Sequence, residues 1–469
     1  MTLAWEIDNF LEGRAGRPRF GGRGRSVPPR QSNTPLFVFS ESRIRHNIDR
    51  VRRAAEVIGC PLKICYAAKA MSTMAILRVV KDAGADIEVN SGGELWKALE
   101  IGFRGDQIIF NGTSKEIGEL EMAINADIYA IQVDSLYELS LIEEAAQKLG
   151  KRANVSLRLV PEIESGTQSG LQTALLTSKF GMMPDEAFAA FRNYRNSKHL
   201  NLCGVHLHIG SQNPDPAVYS EVLKMLFESL VRVNRETGIS LEHINLGGGF
   251  PVNYLRDDTN AEDIEPEKAE LFRSDFEAAD AIGHAWSAIR EIAAASDSSE
   301  LLTGLTLLVE PGRSIIADAG ICLTMVRNKK VRPISGSAEE FDHWLLTDAG
   351  FNILLSMETY KWYYHLISAD RPDAPHAYKY KVAGPLCDGG DVYFDIEGEN
   401  RLPDHRLLPE NVLPGEVLAL LNCGASSLAQ ASQYNGRFLP AVALIRKDGT
   451  PELIRKRDSF EDLIANDIY

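Results

Sequence analysis

The fold this sequence predicts is an eight-stranded parallel (β/α)8 barrel of the TIM-like kind, followed by a β-rich domain of sandwich or barrel-like form. Three observations predict it. From about Thr34 to Leu305, short apolar runs alternate with amphipathic stretches, strand then helix, through eight units. Several of those runs end in polar residues or glycines, at the strand ends where such a barrel builds its site. Beyond about residue 305 the helical periodicity thins, and apolar runs are broken by Gly, Pro and Asp.

In chain order, residues 1–35 are expected to form an N-terminal extension that packs with the β domain. It contains "GRAGRPRFGGRGRSVPPR", read as a solvated Gly/Pro/Arg loop, the alternative being a basic flap that meets an anionic substrate or an acidic partner. Residues 36–304 form the barrel. Its expected strands are "LFVFS", "LKICYAA", "ADIEV", "QIIFNG", "YAIQVDS", "ANVSLRLV", "LCGVHLHIG" and "HINLGGG". Between them, "STMAILRVVKDAG", "GELWKALEIG", "LYELSLIEEAAQKLG" and "VYSEVLKMLFESLVRVNRETG" carry apolar residues at three-to-four spacing and read as helices. The acid-rich stretch 256–299 reads as a solvent-facing insertion carrying one helix. Residues 305–469 form the β-rich domain, with "LTLLVE", "HWLLTDAG", "YKYKVAGPLC", "EVLALLNCGA" and "AVALIRKDG" as its apolar runs.

Composition excludes several functions. A chain of 469 residues exceeds one compact domain, and 44% apolar with 25% charged residues fits a soluble globular protein. The net charge of −15 argues against nucleic-acid binding. No run approaches the roughly 20 apolar residues of a membrane span, and the N-terminus has acids where a signal peptide carries basic residues. We therefore expect a cytoplasmic protein. Six cysteines without close pairs are expected to be reduced thiols, and no metal site is expected.

The chemistry centres on Lys69, at the end of an apolar strand where an ammonium is costly to bury. A partly desolvated amine loses its proton readily and suits Schiff-base formation. "HLHIGSQ" puts His206 and His208 on one strand face, before Ser211. "NLGGGF" offers Gly247, Gly248 and Gly249, whose backbone N–H groups suit an anion such as phosphate. "VEPGRS" ends a strand with Glu310, followed by Gly312 and Arg313; a carboxylate there could keep a pyridine nitrogen protonated. "GPLCDGGD" holds Cys387, Asp388 and Asp391. Carboxylates beside a thiol disfavour the thiolate, so Cys387 is better suited to donating a proton. Taken together, these are the parts that pyridoxal 5'-phosphate requires.

The ordered motifs "TPLFVFSESRIRHNI", "YAAKA", "GADIEVNSGGEL", "SKFGM", "GVHLHIGSQ", "INLGGGFP", "EPGRS", "DAG", "GPLCDGGD" and "ASQYNGRF" span about Thr34 to Pro440. The chain so resembles the fold-type III (alanine-racemase-fold) decarboxylases that use pyridoxal phosphate, which include diaminopimelate and ornithine decarboxylases. The resemblance implies that Lys69 forms the Schiff base, with Asp86 nearby. It implies that His208 stacks on the pyridine ring, with Arg158 beneath the cofactor. Ser211, Gly247–Gly249, Gly312 and Arg313 would hold the phosphate, and Glu310 the pyridinium nitrogen. Tyr434 would close the pocket, where Arg313, Asp388 and Asp391 meet the substrate. Cys387 and Asp388 would come from the other subunit of a homodimer with shared active sites.

The chain departs from the diaminopimelate branch in three places. "DAGFNILLSMETYKWYYH" lacks the arginine that grips a distal carboxylate, Asp388 stands for a glutamate, and Ser426 for a tyrosine. The expected activity is α-decarboxylation of a diaminopimelate-like amino acid or of a citryl- or carrier-linked one from siderophore or antibiotic assembly. The rival readings are an amino-acid racemase or epimerase on the same barrel, and a non-catalytic decarboxylase homologue.

Overall fold

A computed structural model describes residues 33–160, 178–255, 264–274, 276–334, 340–396 and 402–468. The arginine-rich segment 14–30, with the rest of 1–32, lies outside the described residues, as does 256–263. The described chain forms two compact units.

The first unit, Ile44–Asn253 with Glu270–Ile316, holds a closed barrel of eight parallel strands. They are β2 (Leu62–Ala67), β3 (Asp86–Val89), β4 (Ile108–Phe110), β5 (Ala130–Val133), β6 (Ala153–Arg158), β7 (Leu200–His206), β8 (His243–Asn245) and β9 (Thr306–Val309). β9 closes on β2 with Leu62 opposite Leu307. The strands are short apolar runs because helices cover their outer faces and side chains fill the lumen. Cys65, Ile109 and Leu308, from three strands, pack together with Tyr129 against them. The surrounding helices start and stop where the sequence punctuates them. Ser91 and Ser135 accept from the backbone N–H three residues on, and Gly102, Gly150 and Gly238 end helices in the left-handed conformation.

The second unit takes the chain up to Arg43, Tyr254–Ala269 and Ala317–Tyr469. Its nine-stranded sheet runs β14 (Arg406–Leu408), β13 (Tyr378–Ala383), β11 (Phe341–Thr347), β10 (Gly320–Pro333), β1 (Leu36–Ser40), β16 (Ala441–Ile445) and β17 (Pro451–Arg455). β15 (Val417–Leu420) pairs with β10 and with β12 (Leu366–Ser368).

Three expectations are corrected here. "LFVFS" is not the first barrel strand: as β1 it lies in the sheet, with Leu36 opposite Leu323 and Ala441. A strand apolar on both faces suits a barrel or a central sheet position equally, so periodicity could not decide. The eighth barrel strand is instead β9, from "LTLLVE", which the sequence reading gave to the β domain. Helix Ala278–Ala295 is likewise no solvent-facing insertion. It buries Ala281, Ile282, Ala285, Trp286, Ile289 and Ala293, packs on the helix Ala217–Thr237, and lies between β8 and β9 of the barrel.

Candidate active site

The barrel's polar residues converge at the C-terminal ends of its strands. Lys69 follows β2 in the short turn Ala68–Ala70, Glu88 lies within β3, and Asn111 comes just after β4. Arg158 ends β6, His206 ends β7, Asn245 ends β8, and Glu310 follows β9. Parallel strands all end on the same face of the barrel, so residues far apart in sequence meet there.

Glu310 is the hub. Its Oε1 accepts from Asn245 Nδ2 at 2.8 Å and Asn111 Nδ2 at 2.9 Å, and His206 Nε2 stands 3.5 Å away. Burial acts to raise the Glu310 pKa, but His206, His208 and Lys69 outweigh it and hold the carboxyl well below the usual range. Glu310 is therefore an ionised group in a dry setting. Burial pulls the His206 and His208 rings down, and the Glu310 carboxylate opposes it at both. His208 Nδ1 accepts from Gly248 N at 3.0 Å, which fixes its ring orientation.

The glycine run is dictated by crowding. A Cβ at Gly247 would lie 2.6 Å from Leu207 O, at Gly248 2.3 Å from Glu310 O, and at Gly249 2.5 Å from Asn213 Nδ2 and Gly210 O. Gly247 and Gly249 also take positive φ. Two of the three N–H groups donate within the protein, Gly247 N to Asn245 Oδ1 at 2.9 Å and Gly248 N to His208 Nδ1. Their first effect is thus to fix Asn245 and His208. Gly312 is tight as well, a Cβ there falling 3.0 Å from Ala67 Cβ. Arg313 Nε donates to Ser211 Oγ at 3.2 Å, which joins two expected phosphate contacts. Arg158 is buried, its guanidinium 4.3 Å from the centre of the Phe180 ring.

Asp86 is a correction. It pairs with Lys63 at 2.6 Å and accepts from Gln107, at the start of β3. The residue facing Lys69 is Glu88, with Oε1 4.0 Å from Nζ. Successive residues alternate faces, so both acids share one face but lie roughly 6–7 Å apart along the strand. The resemblance had pointed to the right face one step too early. Glu88, Asn111 and Asn245 were not singled out as site residues. Their signal was a polar residue in or at the end of an otherwise apolar parallel strand.

A glycine-lined turn, an ionised buried carboxylate, a ring fixed by a backbone N–H and a lysine at one strand end together fit a pyridine ring with an anionic arm. Comparisons with known proteins agree. The family model for the pyridoxal-dependent decarboxylases, pyridoxal binding domain, matches residues 42–317. The chain belongs to the pyridoxal-dependent decarboxylases. It is a pyridoxal-phosphate-dependent carboxy-lyase acting on an amino acid. It is 34% identical to a diaminopimelate decarboxylase of Methanocaldococcus jannaschii, over 93% of this chain and 91% of that protein. Against that of Bacillus subtilis the identity is 30%, over 97% and 95%. The crystal structure of the M. jannaschii enzyme in complex with L-lysine superposes with a TM-score of 0.77 at 33% identity, over 93% of this chain and 92% of that one.

The remaining expected residues of this decarboxylase gather in the sheet unit. Cys387 is exposed, and its N–H donates to Asn435 Oδ1 at 2.7 Å. Tyr434 O–H donates to Asp388 Oδ2 at 3.3 Å, and its ring stacks on Phe351 with centroids 5.9 Å apart. Asp391 departs from its expected role at the substrate. It is buried and accepts from Phe351 N at 2.9 Å and Leu386 N at 2.8 Å, stapling the "DAG" loop to the "CDGGD" loop. Gly350 and Gly384 lie so close that a Cβ on either would fall within 2.6 Å of its carboxylate. Asp391 therefore shapes the loop, while Asp388 and Tyr434 form its outer surface.

Proposed function

We propose that the protein removes the α-carboxyl group of a diaminopimelate-like amino acid, with Lys69 holding pyridoxal phosphate covalently. The observation that carries this reading is Glu310, kept ionised inside the protein by Asn245, Asn111 and His206. An anion so held would keep the cofactor's pyridine nitrogen protonated. The protonated ring supplies the electron sink that decarboxylation needs. His208, its ring set by Gly248, would press on the ring face, while Ser211, Arg313 and the backbone around Gly247–Gly249 and Gly312 would take the phosphate. Arg158 would sit beneath. Residues lining the barrel mouth would orient the substrate, and Cys387 or Lys69 would return a proton to Cα.

Cys387 and Asp388 would be contributed across the interface of a homodimer with shared sites, and Tyr434 would close the pocket. The enzyme would work in the cytoplasm.

The distal end of the substrate distinguishes this chain. Between Phe351 and Tyr364 stands no arginine. Ser356 is tied to Tyr364 O–H at 2.6 Å, and Lys361 is paired with Glu358 at 3.1 Å. This favours a distal group other than a carboxylate gripped by arginine, such as the citryl- or carrier-linked end of a siderophore or antibiotic intermediate. The test is carbon dioxide release from a panel: diaminopimelate, lysine, ornithine, arginine, and citryl and carrier-linked conjugates. Release from a conjugate above diaminopimelate supports the reading. Scrambling of an enantiomer without carbon dioxide release would replace it with a racemase.

A further inference from the structure

Glu88 has no part in the reading above, yet its setting is that of a working group. It is fully buried on β3. Its Oε1 accepts from Asn111 Nδ2 at 2.8 Å, and the same amide donates to Glu310 Oε1. One amide thus bridges two carboxyls. Oε2 of Glu88 is buried and makes no hydrogen bond among the described residues. Leaving a carboxyl oxygen so is costly unless it carries a proton or meets a mobile partner. Lys69 supplies the partner: its Nζ is 4.0 Å from Oε1, on a flexible side chain that is 51% exposed.

We propose that Glu88 is the proton partner of Lys69, holding on Oε2 the proton that the lysine nitrogen gains each time it leaves the cofactor and gives up each time it returns. The step balances simply. When the substrate's amine displaces Lys69, the lysine nitrogen departs with a lone pair; the Oε2–H bond breaks, an Nζ–H bond forms, and a carboxylate is left beside an ammonium. Return of Lys69 reverses it, with no change in oxidation state. Glu88 acts through Lys69 and is a positioning residue.

The charges around it support this division of labour. Burial pushes the Glu88 carboxyl up to about 7; Lys69 opposes, Glu310 and Glu94 reinforce, and the Asn111 hydrogen bond opposes. Among the described residues, Arg158 and the buried Cys65 also feel its charge. Of the two carboxyls on Asn111, Glu310 is thus the ionised one and Glu88 the proton holder, a pairing in which environments push two acids apart.

The inference rests on the pyridoxal phosphate reading, and two measurements on the holoenzyme separate them. Infrared difference spectra between pH 6 and 8 should contain a protonated-carboxyl band that titrates near pH 7, is lost in Glu88→Gln and is kept, shifted, in Glu88→Asp. The visible absorbance of the lysine-bound cofactor should change with pH along a profile that moves by at least one unit, tenfold in proton affinity, in Glu88→Gln and partly recovers in Glu88→Asp. The infrared measurement needs no bound cofactor. A band absent from the wild type, or persisting in Glu88→Gln, overturns the proposal even where the cofactor reading stands. An absorbance profile unmoved in Glu88→Gln overturns it equally. A colourless preparation overturns the cofactor reading first, and the proposal with it.

Discussion

Replacing Gly248 by alanine tests how the barrel seats its central carboxylate. The new Cβ would lie 2.3 Å from Glu310 O and 3.2 Å from Glu310 C. Ordinary contact needs about 1 Å more, and neither side yields freely. Glu310 N donates to Gly247 O at 2.7 Å, and Gly248 N is bonded to His208. Overpacking of this kind costs about 1–3 kcal/mol, and a unit of this size loses roughly 2–4 °C in melting temperature per kcal/mol. The larger effect falls on catalysis. Moving Glu310 by about 1 Å displaces the anion meant for the pyridine nitrogen, and misplacement on that scale costs about 10²-fold in rate. The control is Gly118→Ala in the helix Ile117–Asn125, where a Cβ meets nothing within 4 Å; it should be neutral or stabilising by about 0.4–1 kcal/mol. Thermal melts and carbon dioxide release are the assays. A Gly248→Ala protein with wild-type melting and kcat/KM would refute the reasoning.

The buried pair Lys115–Glu138, at 2.7 Å, should be worth about 3–5 kcal/mol when only its lysine is lost in Lys115→Met, with much of that recovered by adding Glu138→Gln; urea unfolding decides. His243 is fully buried with its pKa pulled down by burial to about 3, so the unfolded chain binds a proton at that site that the folded one refuses. Stability should therefore fall as pH drops from about 6.5 toward 3, by about 2 kcal/mol at pH 5 from this group alone, and melts of His243→Gln should fall less steeply. Mixing inactive Lys69→Ala with inactive Cys387→Ala should restore about a quarter of wild-type activity if each site draws on two subunits; no recovery after subunit exchange counts against shared sites.

Much of this was legible in the sequence, for reasons that particular residues make plain. Lys69, His208, Gly247–Gly249 and Glu310 announced themselves because charge, aromatic nitrogen or flexible backbone at the end of an apolar strand needs a reason. The count of eight units was legible as well, but not their start. β1 and β9 are equally apolar, and only pairing partners distinguish a barrel strand from a sheet strand. Glu88 was passed over for Asp86 because a motif gives the order of residues, while the distance down a lumen depends on register. Asp391 was misread because its value lies in two backbone N–H groups, Phe351 and Leu386, that no side-chain pattern reveals.

The central claim is that Lys69 holds the cofactor, and borohydride reduction of the purified holoenzyme followed by peptide mass spectrometry tests it most directly. The account predicts a reduced pyridoxyl adduct on Lys69, with the yellow colour lost in Lys69→Ala. An adduct on another lysine, or a coloured Lys69→Ala protein with full decarboxylase activity, would contradict it.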